Sequence, residues 1–338
     1  MNNVTLYAGL DYHQQSIQVC VMDQQARVRL NRACPNDLAA LTTMLEAAGA
    51  VRAIALEACC GAADLAERLV AAGSWRVELA HAGYVARIKG SPDKTDYTDA
   101  RLLADLTRVG YLPRVWLAPR SIREIRQLLA HRQSLVDQRR ALKLQIGGLL
   151  REHRVMISTA GRWTRRWVAA IEQHEALSDA VRWILRQKFA QIQQVSVWVK
   201  AAQEQLRQAT VGHELLGRLR SIEGIGEVTA WTLLAYIGRF DRFRTGKQLA
   251  RYCGLSPKNA SSGQRQADGG LINACSKPLR AVLIQAAQRL LWRPGRWQAL
   301  AEKMQKKGKP KCLVVAAVAN RWVRSLHHRM LVPAELTG

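Results

Sequence analysis

Apolar and polar residues alternate in the first part of the chain, which is the pattern of short β-strands. The alternation falls into three runs, Leu6 to Leu10, Ile17 to Val21 and Val28 to Leu30. Short runs of this kind, separated by polar residues, predict an antiparallel meander of three strands.

From Pro35 to residue 109, the patterns of helices and strands alternate along the chain. Apolar spacing predicts helices after Pro35, over residues 62–72 and from Thr95 onwards, with strands over 53–56 and 76–79. In the last of these helices one side is predicted to carry Leu102, Leu103, Leu106 and Val109. Strands first, followed by helices that alternate with strands, indicate an α/β domain with a mixed sheet. We assign residues 1–118 to this domain.

Helical patterns dominate the rest of the chain. No proline occurs between Pro119 and Pro257, and leucines recur every seven residues at Leu128, Leu135, Leu142 and Leu149. This spacing predicts either a coiled coil between two chains or a helical hairpin within one chain. A second helical stretch runs from Ile184 to Val199. We therefore predict an all-α coiled-coil domain over residues 119–212 and a mainly α C-terminal domain over residues 213–338.

Four carboxylates stand at the ends of the predicted N-terminal elements. Asp11 ends the first strand, Glu57 ends a strand expected at the centre of the sheet, and Asp96 and Asp99 begin a helix. Residues three apart share a helix face, and open α/β sheets place their sites at strand ends. Four converging carboxylates could hold two divalent cations, an arrangement used in phosphodiester chemistry. The alternative is that these acids are turn and capping residues favoured by the helix dipole.

The net charge of the chain indicates a negatively charged binding partner. Its 338 residues include 51 Lys and Arg against 26 Asp and Glu, which gives a net charge of +25. Such an excess is typical of proteins that bind nucleic acid or an anionic membrane surface. Because no apolar run is long enough to span a bilayer, we expect no membrane partner. Without a secretory signal at the N-terminus, we expect a cytoplasmic protein with reduced cysteines.

Two further motifs suit nucleic acid. The stretch from Arg162 to Trp167 interleaves cations with tryptophans, which suits phosphate contact and base stacking; a solvated face above two core tryptophans is the alternative. The turn Gly224-Ile225-Gly226 is similar to a helix-hairpin-helix, in which backbone N–H groups approach phosphate; a plain helical turn is the alternative. Glu223 and Glu227 flank this turn and would oppose phosphate.

Taken in order, the motifs resemble those of the DEDD-type insertion-sequence transposases, the bridge-RNA-guided serine recombinases of bacterial mobile elements. The resemblance covers nearly the whole chain. Its anchors are Gly9-Leu10-Asp11, Leu56-Glu57-Ala58, Lys94-Thr95-Asp96 with Asp99-Ala100, Gly224-Ile225-Gly226, and Gly254-Leu255-Ser256-Pro257 leading to Ser261-Ser262-Gly263.

The resemblance implies a site with two parts. The N-terminal domain would be RuvC-like, that is ribonuclease-H-like, and its Mg²⁺ ligands would be Asp11, Glu57, Asp96 and Asp99. The nucleophile would be the serine just before a glycine in the C-terminal domain, which matches Ser262, with Ser261 adjacent. Gln264 stands where the family has a second glycine. Judged by the local sequence alone, these serines are ordinary loop residues without a catalytic role, since serine is a common turn residue.

The resemblance also implies partners. The carboxylates of one protomer would meet the serine of another, in dimers that assemble into a tetramer on donor and target DNA. A structured non-coding guide RNA would pair with both DNAs, which leaves the protein to read backbone and shape.

Three functions stay open at this point. The first is an RNA-guided DNA recombinase that uses Ser262 as nucleophile. The second is a metal-dependent, junction-resolving endonuclease that uses water instead. The third is an RNA-binding scaffold in which the acids only cap helices.

Overall fold

The computed structural model describes residues 5–89, 95–156, 161–259 and 268–332. The chain divides into two compact units, Met1–Arg120 and Ser121–Gly338. The three-domain division at residues 118 and 212 stays a prediction. Within the described ranges, no helix combines the length and the apolarity that a bilayer crossing needs.

A six-stranded mixed sheet forms the centre of the first unit. Its strands are β1 (Leu6–Tyr12), β2 (Ser16–Asp23), β3 (Val28–Pro35), β4 (Val51–Glu57), β5 (Arg76–Ala80) and β6 (Arg114–Val115), in the order β3-β2-β1-β4-β5-β6. Strands β1, β2 and β3 pair antiparallel, which confirms the predicted meander. Strand β1 also pairs in parallel with β4, so the strands that carry Asp11 and Glu57 are neighbours. The two-residue edge strand β6 is too short to leave a pattern, and the sequence did not predict it.

Helices cover both faces of this sheet, and their bounds are Leu38–Ala48 (α1), Ala62–Ala72 (α2), Ala82–Lys89 (α3) and Asp96–Arg108 (α4). Side chains alternate between the faces of a strand, so Leu10 and Leu56 share a core with Leu41 of α1. Residues whose side chains lie on the other face of the sheet, such as Ala55, share a core with Leu103 of α4. The first unit is therefore an α/β domain with a mixed sheet, as predicted, and the structure adds that helices lie on both sides of the sheet; its RuvC-like topology stays a prediction.

The first unit also differs from the prediction at two helices. Helix α4 ends at Arg108, and Val109 beyond it is 53% exposed, so its assignment to the apolar side was wrong. Helix α3 was missed because Val85 is its one buried residue and leaves no helical period to read.

A long helical hairpin opens the second unit. Its helices are α5 (Arg120–Glu152), α6 (Arg165–Glu172) and α7 (Asp179–Ala209). Near one end Leu135 packs with Val195 and Val199, and near the other Ile146 packs with Leu185. The two long helices therefore run antiparallel within one chain, which confirms the hairpin of the two predicted alternatives.

The remaining elements are mostly helical, which confirms the predicted class. They are α8 (Glu214–Arg220), α9 (Glu227–Tyr236), α10 (Gly246–Tyr252), β7 (Pro257–Asn259), β8 (Asp268–Leu271), α11 (Lys277–Leu290), α12 (Arg296–Lys306) and α13 (Lys311–Leu331). Most residues of helix α9 are buried. Among them, Trp231 donates a 3.0 Å hydrogen bond from its Nε1 to the Thr210 hydroxyl. Strands β7 and β8 pair antiparallel.

Candidate metal centre

Helix α4 approaches strand β1 closely because Gly9 has no side chain. A Cβ atom at Gly9 would lie 2.1 Å from the Ala100 carbonyl oxygen and 2.4 Å from the Ala104 backbone nitrogen. No larger residue fits between this strand and this helix without moving one of them. The close approach brings the first turn of α4 beside the carboxyl end of β1, where Asp11 lies.

Asp11 and Glu57 lie on the face of the sheet that α4 covers. Side chains alternate along a strand, so Asp11 shares a face with Gly9, and Glu57 shares a face with Ala55. Gly9 contacts α4 directly, and Ala55 belongs to the core that α4 completes. Both carboxylates therefore face the layer that contains Asp96 and Asp99.

The two strand-end acids are also adjacent across the sheet. Leu10 pairs with Leu56 in the parallel register of β1 and β4, so the next residues, Asp11 and Glu57, stand side by side. Burial is the largest cause that raises the pKa of the nearby Cys59 thiol, and the combined negative charge of Glu57 and Asp11 contributes to raising it. The convergence of these two acids at one sheet end, predicted from the sequence, is present.

The first turn of α4 is fixed by its own cap. Thr95 is the N-cap, and its hydroxyl accepts a hydrogen bond of 3.2 Å from the Thr98 backbone N–H. A capped helix start holds the next residues in a defined direction. Asp96 then projects to solvent with 59% of its side chain exposed, whereas the Asp99 side chain is 18% exposed.

Asp11 and Asp96 meet around His13. Ligand atoms of Asp11, His13 and Asp96 all lie within 4.8 Å of one another. His13 Nδ1 is 4.0 Å from an Asp11 carboxylate oxygen, and its Nε2 is 3.8 Å from an Asp96 oxygen. Two of the four predicted acids thus form a cluster with a histidine that the prediction did not include. The available signal was the spacing of two residues from Asp11, which puts His13 just past the same strand end.

The other two predicted acids lie beside this cluster instead of inside it. The Asp99 carboxylate forms an ion pair with the Lys89 ammonium at the end of α3, and both side chains are largely buried. Glu57 is half-buried next to Asp11 on β4. The sequence did not indicate Lys89, because the helix that carries it was itself missed.

The chemistry of these donors fits a divalent cation. Carboxylate oxygens are the ligands that Mg²⁺ prefers, and histidine nitrogen is accepted by softer divalent metals. Asp11 and Asp96 would hold the ion, with Glu57 on the neighbouring strand β4 and Asp99 three residues after Asp96 on α4. The ammonium of Lys89 already forms an ion pair with one of these acids, Asp99, so a positive charge is accommodated beside the cluster.

Ser261 and Ser262 lie outside the described residues, as does Lys94. The described chain on both sides of the serines is firmly held. Strands β7 and β8 pair with each other, and the Leu255 carbonyl accepts a 3.0 Å hydrogen bond from the Asn320 side chain on α13. The two ends of the serine segment are therefore anchored next to each other.

At the glycine turn before α9, an arginine offsets part of the negative charge that would repel a phosphate. Arg207 donates hydrogen bonds of 2.8 and 2.9 Å to the two carboxylate oxygens of Glu227. These hydrogen bonds hold the pKa of Glu227 below its usual range, and the carboxylate is neutralised by a fixed partner. Gly224 has φ of 87°, which a residue with a side chain rarely adopts. The turn lies between helices α8 and α9, as both the helix-hairpin-helix and the plain helical turn predicted; its contact with phosphate stays a prediction.

Comparison with known proteins places the chain among transposases. Residues 216–310 match the family described as Transposase IS116/IS110/IS902 family, and residues 8–155 match the DEDD model of IS110 elements, described as Transposase. The second match includes Asp11, Glu57, Asp96 and Asp99, and the first includes both serines.

Curated relatives agree with this assignment. The chain is 25% identical to the transposase for insertion sequence element IS1111A of Coxiella burnetii, over 84% of this chain and 77% of that protein. It is 27% identical to a probable family 20 transposase of Pseudomonas aeruginosa, over 75% of this chain and 79% of that protein. A pilin gene-inverting protein of Moraxella lacunata is 33% identical, over 30% of this chain and 33% of that protein. The chain is a DNA transposase, and the family models that it matches over residues 8–155 and 216–310 are those of IS110-type transposases.

Proposed function

We propose that this transposase is an RNA-guided DNA recombinase that cuts and rejoins strands through a serine–DNA intermediate assisted by Mg²⁺. The observation that carries the metal-assisted part is the meeting of Asp11 and Asp96, which lie far apart in the sequence, within 4.8 Å around His13. Capping residues scattered over a surface would not need this convergence. The scaffold hypothesis, in which the acids only cap helices, is therefore the weakest of the three.

The proposed chemistry needs both parts of the site. A serine hydroxyl is a weak nucleophile unless a neighbouring group activates it. When bound, a divalent ion supplies positive charge that stabilises the phosphate oxygens during displacement. Asp11, Asp96, Glu57 and Asp99 would hold that charge in position. The Ser262 hydroxyl gives up its proton to solvent or to a neighbouring base as its oxygen forms a bond to phosphorus. The bond from phosphorus to the departing deoxyribose oxygen breaks, and that oxygen takes up a proton. Attack by a strand-end hydroxyl on the serine ester then rejoins DNA without a high-energy cofactor.

The serine assignment is supported by position. Ser262 lies in the segment between the paired strands β7 and β8, inside the matched residues 216–310. Ser261 is its neighbour, so both serines belong in the test.

The guide RNA and the oligomer follow from the family resemblance and from charge. A net charge of +25 supports a polyanionic partner, and log affinity should fall steeply with log salt as counterions are released. We propose a structured non-coding RNA that selects donor and target DNA by base pairing. We also propose dimers that assemble into a tetramer, in which acids and serine come from different protomers.

Complementation between two inactive variants tests this proposal. Asp11→Asn and Ser262→Ala proteins are each assayed for strand cleavage and for a covalent protein–DNA adduct, alone and mixed, with Ser261→Ala in parallel. We expect each variant to be inactive alone and the mixture to regain activity, because intact acids and an intact serine then meet in some sites. RNA that co-purifies from cells carrying the native flanking DNA is sequenced in the same preparation.

The alternative is a junction-resolving endonuclease that uses water. The observation that favours it is that the three clustered residues, Asp11, His13 and Asp96, all belong to the first unit. Retained cleavage by Ser262→Ala and Ser261→Ala proteins, with no adduct in the wild type, would establish this alternative.

A further inference from the structure

A cavity of about 720 Å³ lies beside the end of the α5–α7 hairpin at which α6 connects the two long helices. Its size falls in the range of small-ligand sites. Apolar side chains line much of it, and its remaining lining consists of four cations and two tryptophans, Arg140, Lys143, Arg151, Arg162, Trp163 and Trp167. Among the described residues that line it there is no carboxylate. The cavity therefore offers positive charge and ring faces without an internal counter-charge.

The tryptophans form a platform at this cavity. The rings of Trp163 and Trp167 have centroids 5.0 Å apart, and Trp167 in turn contacts Phe189 of α7 edge-on. Trp167 is 6% exposed and belongs to the hairpin core, whereas Trp163 is half-buried and packs against that core. A half-buried ring backed by a buried ring is a rigid surface on which a flat group can stack once the flexible Lys143 side chain moves off the Trp163 ring.

The backbone at Trp163 is held in an unusual conformation. Its φ is 72°, in the left-handed region that a bulky residue rarely adopts. Such a conformation persists where the surrounding contacts determine it, and it occurs preferentially at ligand sites. Here the surrounding contacts are those with Trp167 and with Lys143, whose ammonium nitrogen lies 4.6 Å from the centre of the Trp163 ring.

A polar atom of the lining also lacks a partner. Trp167 Nε1 is buried and has no hydrogen-bond partner among the described residues. A buried N–H group without an acceptor is rare and calls for an explanation. A ligand that carries oxygen acceptors, such as a phosphate or a base carbonyl, would supply one after a small shift of the ring.

We propose that this cavity binds one unpaired nucleotide of the nucleic acid that the transposase handles, with its base on Trp163 and its phosphate among the arginines. The proposal rests on the chain acting on nucleic acid, as in the proposed function. A paired base cannot enter a cavity of this kind without leaving its stack, so the site is specific for single-stranded or everted nucleotides.

The charges support a phosphate as the second part of the ligand. Burial lowers the pKa of Lys143, and the positive charge of Arg139 lowers it further. Neighbouring cations thus repel each other at this end of the hairpin, and an anion relieves that repulsion. Arg140, Arg151 and Arg162 are exposed and can follow a strand that leaves the cavity.

Binding of short oligonucleotides to the full-length protein tests the proposal. The probes are fluorescein-labelled oligodeoxythymidine, oligouridine and a DNA duplex, and the variants are Trp163→Ala, Arg162→Gln and Trp198→Ala. Trp198 is a matched control, because it is an exposed tryptophan on α7 that does not line the cavity. Circular dichroism melting confirms that each variant is folded.

We expect Trp163→Ala to weaken single-strand binding at least about fivefold, the lower end of base–aromatic stacking. Arg162→Gln should reduce the salt slope for single strands by about 0.7, the loss of one phosphate contact. Duplex affinity and the Trp198→Ala protein should stay unchanged. Loss confined to oligouridine or to oligodeoxythymidine identifies RNA or DNA as the source of the nucleotide.

Unchanged single-strand binding in both Trp163→Ala and Arg162→Gln would overturn the proposal, as would an equal loss for duplex and single strand. The Asp11→Asn protein separates this result from the proposed recombination. It should bind the single strands like the wild type, since Asp11 is not part of the hairpin.

Discussion

The acid cluster of the first unit and the tryptophan cavity of the second unit are charged in opposite senses, and each fits the opposite kind of ligand. Asp11 and Asp96 gather negative charge around His13, with Lys89 on the neighbouring Asp99. The cavity beside Trp163 gathers cations, and no carboxylate is among its described lining residues. In a chain with a net charge of +25, the acid cluster is the feature that needs an explanation, and the metal ion that we propose would supply it.

The two regions are also built differently. The cavity comes from a hairpin whose helices follow each other in the sequence, so local periodicity largely determines it. The acid cluster comes from the end of β1 and the start of α4, which meet because Gly9 leaves room for the helix backbone. The acid cluster should therefore be sensitive to packing changes that leave the cavity intact.

Asp11→Asn is expected to have the largest effect. Loss of a metal ligand removes several kcal/mol of transition-state stabilisation, so strand cleavage should fall at least about a thousandfold. Glu46→Gln, an exposed acid on α1, is the control and should cleave normally. Nucleic-acid affinity should be unchanged in both proteins. A gel-based cleavage assay with DNA that carries the element ends measures the first effect, and normal cleavage by Asp11→Asn would break the comparison.

Gly9→Ala should have the next largest effect. The added methyl group would collide with the backbone of α4, and overpacking of this kind costs typically about 1–3 kcal/mol or more of unfolding free energy. Gly148→Ala on α5 is the matched control, because its Cβ meets nothing within 4 Å and alanine favours helix by about 1 kcal/mol. Denaturant titrations should show opposite shifts for the two variants. Equal stability of Gly9→Ala and wild type would remove the packing argument.

Lys89→Met tests whether a metal ion can replace the ammonium that neutralises Asp99. Without the ammonium the largely buried carboxylate loses its partner, which should cost about 1–3 kcal/mol of stability in the metal-free protein. Added Mg²⁺ should restore most of this loss, since a ligand that binds the folded state stabilises it. Arg87→Met, at an exposed position of the same helix, should show neither effect. Thermal melts with chelator and with Mg²⁺ measure both, and a loss that Mg²⁺ leaves unchanged would argue against a metal at Asp99.

Glu227→Gln is expected to have the smallest effect and a defined pH dependence. Because Arg207 lowers the pKa of Glu227 in the folded state, the pair stabilises the protein above the unfolded pKa. This contribution is lost as the pH falls through the lowered pKa. The variant should be less stable than the wild type by up to about 1 kcal/mol at neutral pH, the range of exposed ion pairs. Unfolding free energies from neutral to acid pH should converge, and a constant difference would contradict the assignment.

The sequence predicted what depends on local pattern or on strand order. The meander, the neighbouring strands β1 and β4 and the hairpin alternative are all present. Strand alternation reflects burial well, whereas only Leu135 of the four heptad leucines is buried and the others are half-buried. Asp11 and Asp96 could be predicted as partners because strand ends and helix starts are where α/β sites form.

The sequence did not predict His13 and Lys89 as neighbours of the acids. Their positions depend on the course of the chain after β1 and on α3, a short helix with one buried residue. The exact carboxylate grouping also depends on the contact of α4 with Gly9, a tertiary distance that no periodicity encodes. For the hairpin, the spacing of apolar residues predicted the helices. The left-handed backbone at Trp163 could not be predicted, because a glycine would have indicated such a conformation and a tryptophan does not.

Binding of Mn²⁺ as a substitute for Mg²⁺, followed by electron paramagnetic resonance, tests the central claim most directly. We expect the wild-type protein to bind the ion and Mg²⁺ to displace it, and we expect the Asp11→Asn, Asp96→Asn double variant to lose this binding while it stays folded. Binding of equal affinity and stoichiometry in the double variant would contradict the claim that β1 and α4 come together to hold a metal ion.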